Sequence, residues 1–452
     1  MRIAILGAGT VGFAIAETLS RGYHSITVVE KNKENAERVG ELDVRVIVGS
    51  ASESSVLFSA GVGDCDLCLA VTGSDETNII SASMAKAMGA RRTLARVYSP
   101  VFRNLSAFDY QRHFNIDRLI SLEQLTAIEL VRLVRRAHSQ VLDLFSRGEL
   151  EVQEIIVADN SPVVGMTLKE LRIPTAVRVA LLRRNDEHRL MSADEPFKAG
   201  DGVSLIGTAE DISAVVQKQF MSKLPPKQNI MIMGGGETGY HIAQILQENY
   251  FTIKLFESNK QRSLYLASHL GDAVSIIRAN GLNRHDLEEN QVDKVDAFIA
   301  CTGDDENNIM AAVEAKELGA KQVFAVVSRP DYAAVVRKLG IDCVVSPRTV
   351  MARRIRGFLN TGAVIMRTSL ANQPDIEILE IEALQGSFIC QKTIAQLGLP
   401  PKCLIAGVNR DNFVQVPGAD FQIQPGDIVI IMVHNQVVDA LLDKFKVQEK
   451  LE

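Results

Sequence analysis

The chain has 452 residues, 46% hydrophobic and 23% charged, the balance of a globular protein of two to four domains. Acidic residues outnumber basic ones, 55 to 49, and there is no Trp; this argues against a nucleic-acid binder and against an aromatic stacking platform. No apolar run approaches the ~18 residues of a membrane span, and the six Cys read as reduced thiols rather than a disulfide framework.

Met1-Arg2 and the apolar residues after it carry a single charge, are interrupted by Gly7, Gly9 and Gly12, and run into Glu17 and Arg21 without a cleavage pattern. That does not read as a signal peptide, and the expectation is a full-length, soluble, cytoplasmic chain. Ile3–Leu6 has the length and continuous apolarity of a parallel strand buried on both faces. Gly7-Ala8-Gly9-Thr10-Val11-Gly12 follows, then a helix with Val11, Ile15 and Leu19 on one stripe, then a strand Ile26–Val29 closed by Glu30. Strand, G-x-G-x-x-G, helix, strand and acid form the dinucleotide-binding context. Gly7 allows the tight turn, Gly9 lets a pyrophosphate approach the backbone, and Gly12 lets the helix pack close to the sheet. The helix N-terminus offers free N–H groups to phosphate. Glu30 can accept bonds from ribose hydroxyls and repels a 2′-phosphate, so NAD(H) is favoured over NADP(H).

Further on, a strand runs into Thr72-Gly73, whose carboxyl end belongs to the same crevice. Asp75-Glu76 is expected to cap the next helix rather than hold a metal. Leu94-Ala95-Arg96-Val97 places Arg96 at the end of the fifth strand, within reach of a phosphate, and Ser50 lies beyond the third strand. Ser121-Leu122-Glu123-Gln124 is a capping-box pattern opening a helix. Leu125, Ile128 and Leu130 to Val134 give that helix a broad apolar face, which suits a core or a sister domain. Arg132, Arg135 and Arg136 suit a solvated face or an acidic partner surface.

Ser139–Gly148 reads as a break. After it come short strands at Glu151–Val157, Val177–Arg183 and Gly202–Gly207, with a short helix near Thr167–Leu171. Leu224-Pro225-Pro226-Lys227 reads as a linker. Then the sequence repeats: RIAILGAGTVG returns as NIMIMGGGETG, ITVVEKNK as IKLFESNK, LAVTGSDETNI as IACTGDDENNI and NIDRLIS as GIDCVVS, at offsets of 225 to 230 residues. The predicted organisation is therefore α/β, two doubly wound Rossmann-like domains at 1–140 and 228–362, each followed by a small α+β domain at 149–220 and 368–452. The second glycine loop is Gly234-Gly235-Gly236-Glu237-Thr238-Gly239, its acid is Glu257, and Thr302 matches Thr72. Glu237 either weakens anion binding or faces solvent. Val326 stands where the first copy has Arg96, and Asn280 where it has Ser50. Ser346-Pro347 puts Pro at the first position of a helix carrying Arg348, Arg353, Arg354 and Arg356.

No chemistry motif completes an enzyme. Tyr250 and Lys254 have short-chain-dehydrogenase spacing but run into a strand, where residues four apart lie ~13 Å from end to end. Cys65 and Cys68 lead into a strand and read as structural. His188, beside Asp186-Glu187, reads as surface, and the eight His show no zinc spacing. The expectation is a sensor and not an enzyme; the alternative is an NAD-dependent dehydrogenase with a tandem Rossmann core.

The segments GAGTVG, VVEKN, AVTGSDETN and LARV, repeated as GGGETG, FESN, ACTGDDENN and FAVV, resemble the RCK (KTN) domains that regulate potassium conductance. The small domains resemble that family's C-terminal domain. The resemblance implies a cytoplasmic gating-ring subunit, peripheral on the inner face of the cell membrane, touching the membrane only through an integral-membrane potassium pore subunit. It implies self-association into a dimer or tetramer, no nucleic-acid partner, no metal, and NAD(H) with ATP or ADP as ligands. The nucleotide contacts it implies are Gly7, Ala8, Gly9, Thr10, Val11, Gly12, Glu30, Ser50, Ala51, Thr72, Gly73 and Arg96. In the second copy they are Gly234, Gly235, Gly236, Glu237, Thr238, Gly239, Glu257 and Thr302.

Overall fold

The structure is a computed structural model that describes residues 1–103, 108–138, 141–145, 150–185, 187–220, 227–247, 251–329, 332, 336, 338–358, 364–370, 373–410 and 413–446. Asp186, Tyr250, the linker residues 224–226 and parts of the expected break at 139–148 lie outside them.

The first apolar run forms β1 (Arg2–Leu6). With β2 (Ser25–Glu30), β3 (Arg45–Val48), β4 (Leu67–Ala70), β5 (Thr93–Arg96) and β6 (Arg118–Ile120) it builds a parallel sheet in the order β3-β2-β1-β4-β5-β6. The helices between are α1 (Thr10–Ser20), α2 (Lys33–Gly40), α3 (Ser54–Ser59), α4 (Asp75–Met88), α5 (Tyr110–His113) and α6 (Leu122–His138). This is the doubly wound order, and its crevice opens where β1 and β4 diverge, beyond their carboxyl ends.

Next come β7 (Val141–Phe145), β8 (Leu150–Ile156), β9 (Arg178–Arg184), β10 (Glu187–Leu190), β11 (Gly202–Gly207) and α7 (Ala209–Val215), with the strands in an antiparallel sheet ordered β10-β9-β11-β8-β7. The parallel pattern then returns with β12 (Gln228–Met233), α8 (Glu237–Leu246), β13 (Phe251–Phe256), α9 (Lys260–His269), β14 (Val274–Ile277) and α10 (Arg284–Glu289). It continues with β15 (Ala297–Ala300), α11 (Asp305–Glu317), β16 (Gln322–Val326), β17 (Cys343–Val345) and α12 (Pro347–Phe358). The strand order is β14-β13-β12-β15-β16-β17. A second antiparallel sheet holds β18 (Val364–Leu370), β19 (Gln373–Glu382), β20 (Cys403–Arg410), β21 (Phe413–Gln415) and β22 (Ile428–His434) in the order β18-β19-β22-β20-β21. Two Rossmann-like sheets and two small antiparallel sheets thus give the α/β class that the repeat implies. Among the described residues no helix is long and apolar enough to cross a membrane.

Like packs with like. One compact unit gathers both parallel sheets (1–129, 229–244 and 253–359), and the other gathers both antiparallel sheets (130–228, 245–252 and 360–452). In the first unit α12 of the second copy packs on α1 of the first, and Arg353 pairs with Glu129 of α6 at 3.3 Å. In the second unit Leu150, Val152, Leu181 and Ile206 share one core with Ile378, Ile430 and Met432. The approach is close: a Cβ on Gly407 would lie 2.6 Å from a methyl of Leu150.

The Gly-Asp turns before the last strands also match. Gly200 and Gly426 have φ of +82° and +91°. Asp201 accepts Arg184 Nε and Nη2 at 2.8 and 2.7 Å, and Asp427 accepts the same two atoms of Arg410 at the same distances. Each bidentate pair is nearly closed to water on the carboxylate side, which ties the turn to the neighbouring strand.

Four local expectations change. The segment 139–148, read as a break, contains β7: Val141–Phe145 pairs antiparallel with β8, from Val141 opposite Gln153 to Phe145 opposite Leu150. Thr167–Leu171 is a turn and not a helix: Glu170 accepts both the amide and the hydroxyl of Thr167, and Thr167 bridges to Pro196. Half of the capping box forms, with Ser121 Oγ accepting from Gln124 N–H, while the Gln124 side chain is taken by Arg103. Asp75 does not cap α4. Ser74 does, and Asp75 instead accepts the amides of Tyr98 and Ser99 at 2.8 Å, tying α4 to the loop after β5.

Candidate functional site

Each glycine loop turns sharply off its first strand. Gly7 has φ +104° and Gly234 φ +110°, a region that side chains rarely adopt, and each lies against the end of the fourth strand of its sheet, at Thr72 and at Cys301–Thr302. The third glycine lies in the first turn of the helix, close to the strand ends. A Cβ on Gly12 would lie 1.9 Å from the Gly7 carbonyl oxygen and 3.4 Å from Val71, and one on Gly239 would lie 1.9 Å from the Gly234 carbonyl oxygen and 3.4 Å from Cys301. At the middle positions, Gly9 and Gly236, a Cβ would meet nothing within 4 Å. That open side of the loop faces the N-terminus of α1 or α8.

The acids at the second-strand ends are held in place. Glu30 is buried; it accepts the Ala8 amide at 2.5 Å on one oxygen and the Asn32 amide at 2.8 Å on the other. Glu257 accepts the Gly235 amide at 3.1 Å and the Asn259 amide at 2.7 Å. A carboxylate has about four lone-pair sites, so each acid retains capacity for a ligand hydroxyl.

Behind the crevice stands a latch that spacing alone did not assign. Asn78 is fully buried on α4; its Oδ1 accepts the Thr72 amide and hydroxyl, both at 2.7 Å, and its Nδ2 donates to the carbonyls of Thr72 and Arg96 at 3.1 and 2.9 Å. Asn308 repeats all four bonds with Thr302 and Val326. The amide fixes the ends of the fourth and fifth strands, and with them Thr72 and Thr302 at the crevice. The recurring Asn of T-x-x-D-E-x-N was its sequence signal.

A second device escaped the alignment altogether. Arg38 donates to the Ala8 carbonyl at 3.2 Å with its guanidinium over Phe13. Arg262 donates to the Gly235 carbonyl at 2.6 Å and lies over Tyr240 and Tyr265. Both arginines grip the second loop residue from the helix after the second strand, but from positions that the 227-residue offset does not pair.

The second copy presents a cleft of about 440 Å³ lined by Gly234, Gly235, Gly236, Glu257, Ser258, Asn280, Thr302 and Asp304, among others. Glu237 is not part of that lining, and it does not face solvent either. It is 6% exposed and pairs with Arg262 at 3.0 Å, so its charge is met behind the loop rather than presented to the crevice. In the first copy Thr10 is exposed at the start of α1, Ala51 is buried, and Ser50 Oγ lies 2.9 Å from Ser52 Oγ. Arg96 sits at the end of β5 with its guanidinium turned to Glu123 at 3.2 Å, and its buried Nε has no hydrogen-bond partner among the described residues. A phosphate engaging Arg96 would share its guanidinium with Glu123. Lys254 donates to the Asn290 carbonyl from its strand, as a structural lysine does. Cys65 and Cys68 are both buried. The bond to Cys68 lowers the Cys65 thiol pKa; that same bond and burial raise the Cys68 thiol.

The two copies meet next to these loops. Arg103 of the first copy reaches His241 of α8, Nη2 to Nε2, at 3.1 Å, and also bonds Gln124. Arginine only donates, so His241 Nε2 accepts, and Nδ1 carries the proton toward Gln244 at 3.3 Å. Burial first, and then Arg103, push the His241 pKa down to about 4. Tyr98 of the first copy has its phenol pushed up by burial and by the nearby carboxylates of Glu237 and Glu123.

This neutral histidine predicts an acid weakness. Its folded pKa lies below the ~6.5 of the unfolded chain, so the unfolded state binds the proton first as pH falls. Stability should be flat above about pH 6.5 and should fall by up to roughly 3 kcal/mol between there and pH 4. Denaturation profiles against pH test this; His241→Gln should flatten that window, and an unchanged profile would count against the assignment.

The comparisons with known proteins agree with this architecture. The TrkA-N domain family matches residues 3–121 and 230–347, and the TrkA-C domain family matches 152–219 and 378–446. The chain is 31% identical over 445 residues to the Trk system potassium uptake protein TrkA of Halomonas elongata, covering 96% of both chains. It is 30% identical to that of Haemophilus influenzae, also with 96% of each covered. With a TrkA homolog of Archaeoglobus fulgidus the identity is 29%, over 99% of this chain and all of the relative. Among solved structures, the GsuK RCK domain aligns with a TM-score of 0.56 at 18% identity, covering 98% of this chain and 94% of that one. The GsuK channel bound to NAD aligns at 0.58 and 18% identity, over 98% and 78%. Two TrkA-N domains, each followed by a TrkA-C domain along one chain of matching length, place this protein in the family of the Trk system potassium uptake protein TrkA.

Proposed function

We propose that this chain is a nucleotide-binding regulatory subunit of a potassium-uptake system, working at the cytoplasmic face of the membrane as part of a gating ring. The observation that carries the reading is the crevice geometry, built twice. An open glycine loop leads into a helix N-terminus, and a second-strand carboxylate is clamped between two backbone amides. The loop suits a pyrophosphate, the carboxylate suits the hydroxyls of a ribose, and the Asn latch holds the threonine opposite.

The ligand on this reading is NAD(H), with ADP or ATP as further candidates. The nucleotide contacts are the residues of the two glycine loops with Glu30, Ser50, Ala51, Thr72, Gly73 and Arg96 in the first copy, and Glu257 and Thr302 in the second. Glu237 acts from behind the loop, through Arg262. The chain works by binding and release rather than turnover. A nucleotide shifts the gate through its different affinity for two conformations of the ring, and an integral-membrane pore subunit reads out the change. In the first copy the conformational handle is Arg96, whose exchange of Glu123 for a phosphate would loosen the start of α6. The relatives' role in potassium uptake supports the assignment of the transported ion.

Calorimetry tests the ligand. NADH should bind more tightly than NADPH, because a 2′-phosphate would meet Glu30 or Glu257. Glu30→Gln should narrow that ratio at the first crevice by about tenfold, the equivalent of ~1.4 kcal/mol. Tighter binding of NADPH by the unmodified chain would refute the reading. Light scattering tests the ring: a species of one chain only, at micromolar concentration, would remove its physical basis.

A further inference from the structure

We propose that the two crevices of one chain oppose each other and that His241 is the joint between them, bonding Arg103 of the first copy when the first crevice is filled and turning to Glu237, behind the second glycine loop, when the second is filled. The proposal rests on the reading of both crevices as nucleotide sites and adds how occupancy of one is felt by the other. His241 and Glu237 lie one turn apart on α8, and both are buried. His241 Nε2 accepts from Arg103 Nη2 at 3.1 Å and lies 4.0 Å from Glu237 Oε2, an oxygen with no hydrogen-bond partner among the described residues. The same ring nitrogen faces both groups. It accepts from Arg103 only while it carries a lone pair, and it donates to Glu237 only when it carries a proton, so the two contacts exclude each other.

Each contact belongs to one crevice. Arg103 also donates to the Gln124 side chain, next to Glu123, which pairs with Arg96 at 3.2 Å. Asp75, one residue after the Ser74 cap, holds the amides of Tyr98 and Ser99 in the same segment. The wall that carries Arg96 is therefore anchored at its far end on His241, and a ligand that uses Arg96 binds best while that anchor keeps the wall in place. On the other side, Glu237 is the first residue of α8, and Arg262, its partner at 3.0 Å, also holds the Gly235 carbonyl. A phosphate at the α8 N-terminus brings further negative charge to a carboxylate that already has one oxygen buried without a hydrogen bond. A donor from His241 offsets that charge, so the second ligand draws the imidazole away from Arg103.

The move takes up a proton. Nδ1–H already points to Gln244 Oε1 at 3.3 Å, so an Nε2–H toward Glu237 makes the ring an imidazolium. Among the described residues, the charged groups that face it are Glu237 on its own helix, Arg103 from the first copy and Arg262 from α9, with the Tyr240 ring 5.4 Å away. Beside Arg103, burial and the guanidinium hold its pKa down at about 4. Away from Arg103 and against Glu237, the opposite charge raises it. Low pH and a ligand in the second crevice thus favour the same arrangement, and a ligand in the first crevice opposes both. By linkage each ligand weakens the other by the same factor, about fivefold or more for a coupling of ordinary size.

The test uses the full chain and calorimetry with NAD+ as the probe. Gly236→Ala, whose methyl meets open space in the second loop, leaves the first crevice to be read alone, and Gly9→Ala leaves the second. At pH about 6 the unmodified chain should bind its second NAD+ at least about fivefold more weakly than those two separate affinities require. Adding Arg103→Met, or His241→Gln, whose amide can still bond Arg103, should restore independent binding. In the Gly9→Ala chain, binding at that pH should take up roughly half a proton, read from buffers of different ionisation enthalpy. The uptake should vanish at pH about 8 and with His241→Gln, and the Gly236→Ala chain should show none. Independent sites in the unmodified chain, or no proton uptake in the Gly9→Ala chain, overturn the proposal. If the Gly9→Ala chain binds no NAD+ at all, the failure belongs to the parent reading of the second crevice, and the coupling falls with it.

Discussion

Arg262→Ala should destabilise the first unit by about 3 kcal/mol or more, and Glu237→Thr in the same chain should recover most of the loss. Glu237 is buried at the first position of α8, with one oxygen on Arg262 and the other buried without a hydrogen-bond partner among the described residues, 4.0 Å from His241 Nε2. Removing one member of a buried ion pair leaves an uncompensated charge, which costs roughly 3–5 kcal/mol. The helix N-terminus offsets part of that cost, which puts the expectation at the lower end. The loop also loses the bond from Arg262 to the Gly235 carbonyl. Threonine is the residue at the matching place in the first copy, Thr10, where no buried charge has to be met. The rescue separates the two contributions, because it cures the stranded carboxylate and not the missing loop bond. Urea midpoints for Arg262→Ala, Glu237→Thr and the double variant decide the matter. If the double variant is as unstable as Arg262→Ala alone, the pair is not what holds the loop.

The parts of the fold legible in the sequence are those whose cause is local. A buried strand, a glycine turn, an amphipathic helix and a closing acid follow one another within about thirty residues, and the repeat of the whole pattern adds independent support. The grouping of the chain was not legible in this way. Alternating large and small segments suggest beads in series, whereas the two parallel sheets gather into one unit and the two antiparallel sheets into another. That pairing depends on faces such as the one shared by Leu150, Ile206, Ile378 and Met432, whose partners lie more than 150 residues apart.

The candidate site divides along the same line. Gly7, Gly9, Glu30 and their counterparts are placed by spacing. The roles of Asn78 and Asn308 depend on two strand ends meeting one helix face, and those of Arg38 and Arg262 on a reach across to the loop from unequal positions. Glu237 shows the cost of judging a residue by its motif alone. Within the loop it reads as a charge aimed at the ligand, and only the position of Arg262, 25 residues later, turns it away. Arg96 is the converse: its strand-end position is as expected, but Glu123 on α6 already holds it.

The three glycines of one loop should give opposite results when each gains a methyl group. Gly12→Ala places a Cβ 1.9 Å from the Gly7 carbonyl oxygen and 2.9 Å from its carbon. That carbonyl cannot swing aside freely, because the Gly7 amide is anchored to the Val29 carbonyl at 2.7 Å and the Gly7 Cα lies against Thr72. Overpacking of flexible side chains costs about 1–3 kcal/mol, and a clash with fixed backbone belongs at or above the top of that range. Gly12→Ala should therefore cost at least about 3 kcal/mol, and Gly239→Ala should match it in the second copy. Gly9→Ala meets no atom within 4 Å and has φ of −62°, which alanine adopts without strain, so stability should move by no more than about 0.5 kcal/mol. Its methyl nevertheless fills the space where a pyrophosphate must approach the amides, and NADH affinity at the first crevice should fall at least tenfold, about 1.4 kcal/mol. The pair thus separates a residue kept for the loop from one kept for the ligand. A Gly9→Ala chain that binds NADH normally would move the phosphate site elsewhere, and a Gly12→Ala chain as stable as the parent would mean that the turn is not built as described.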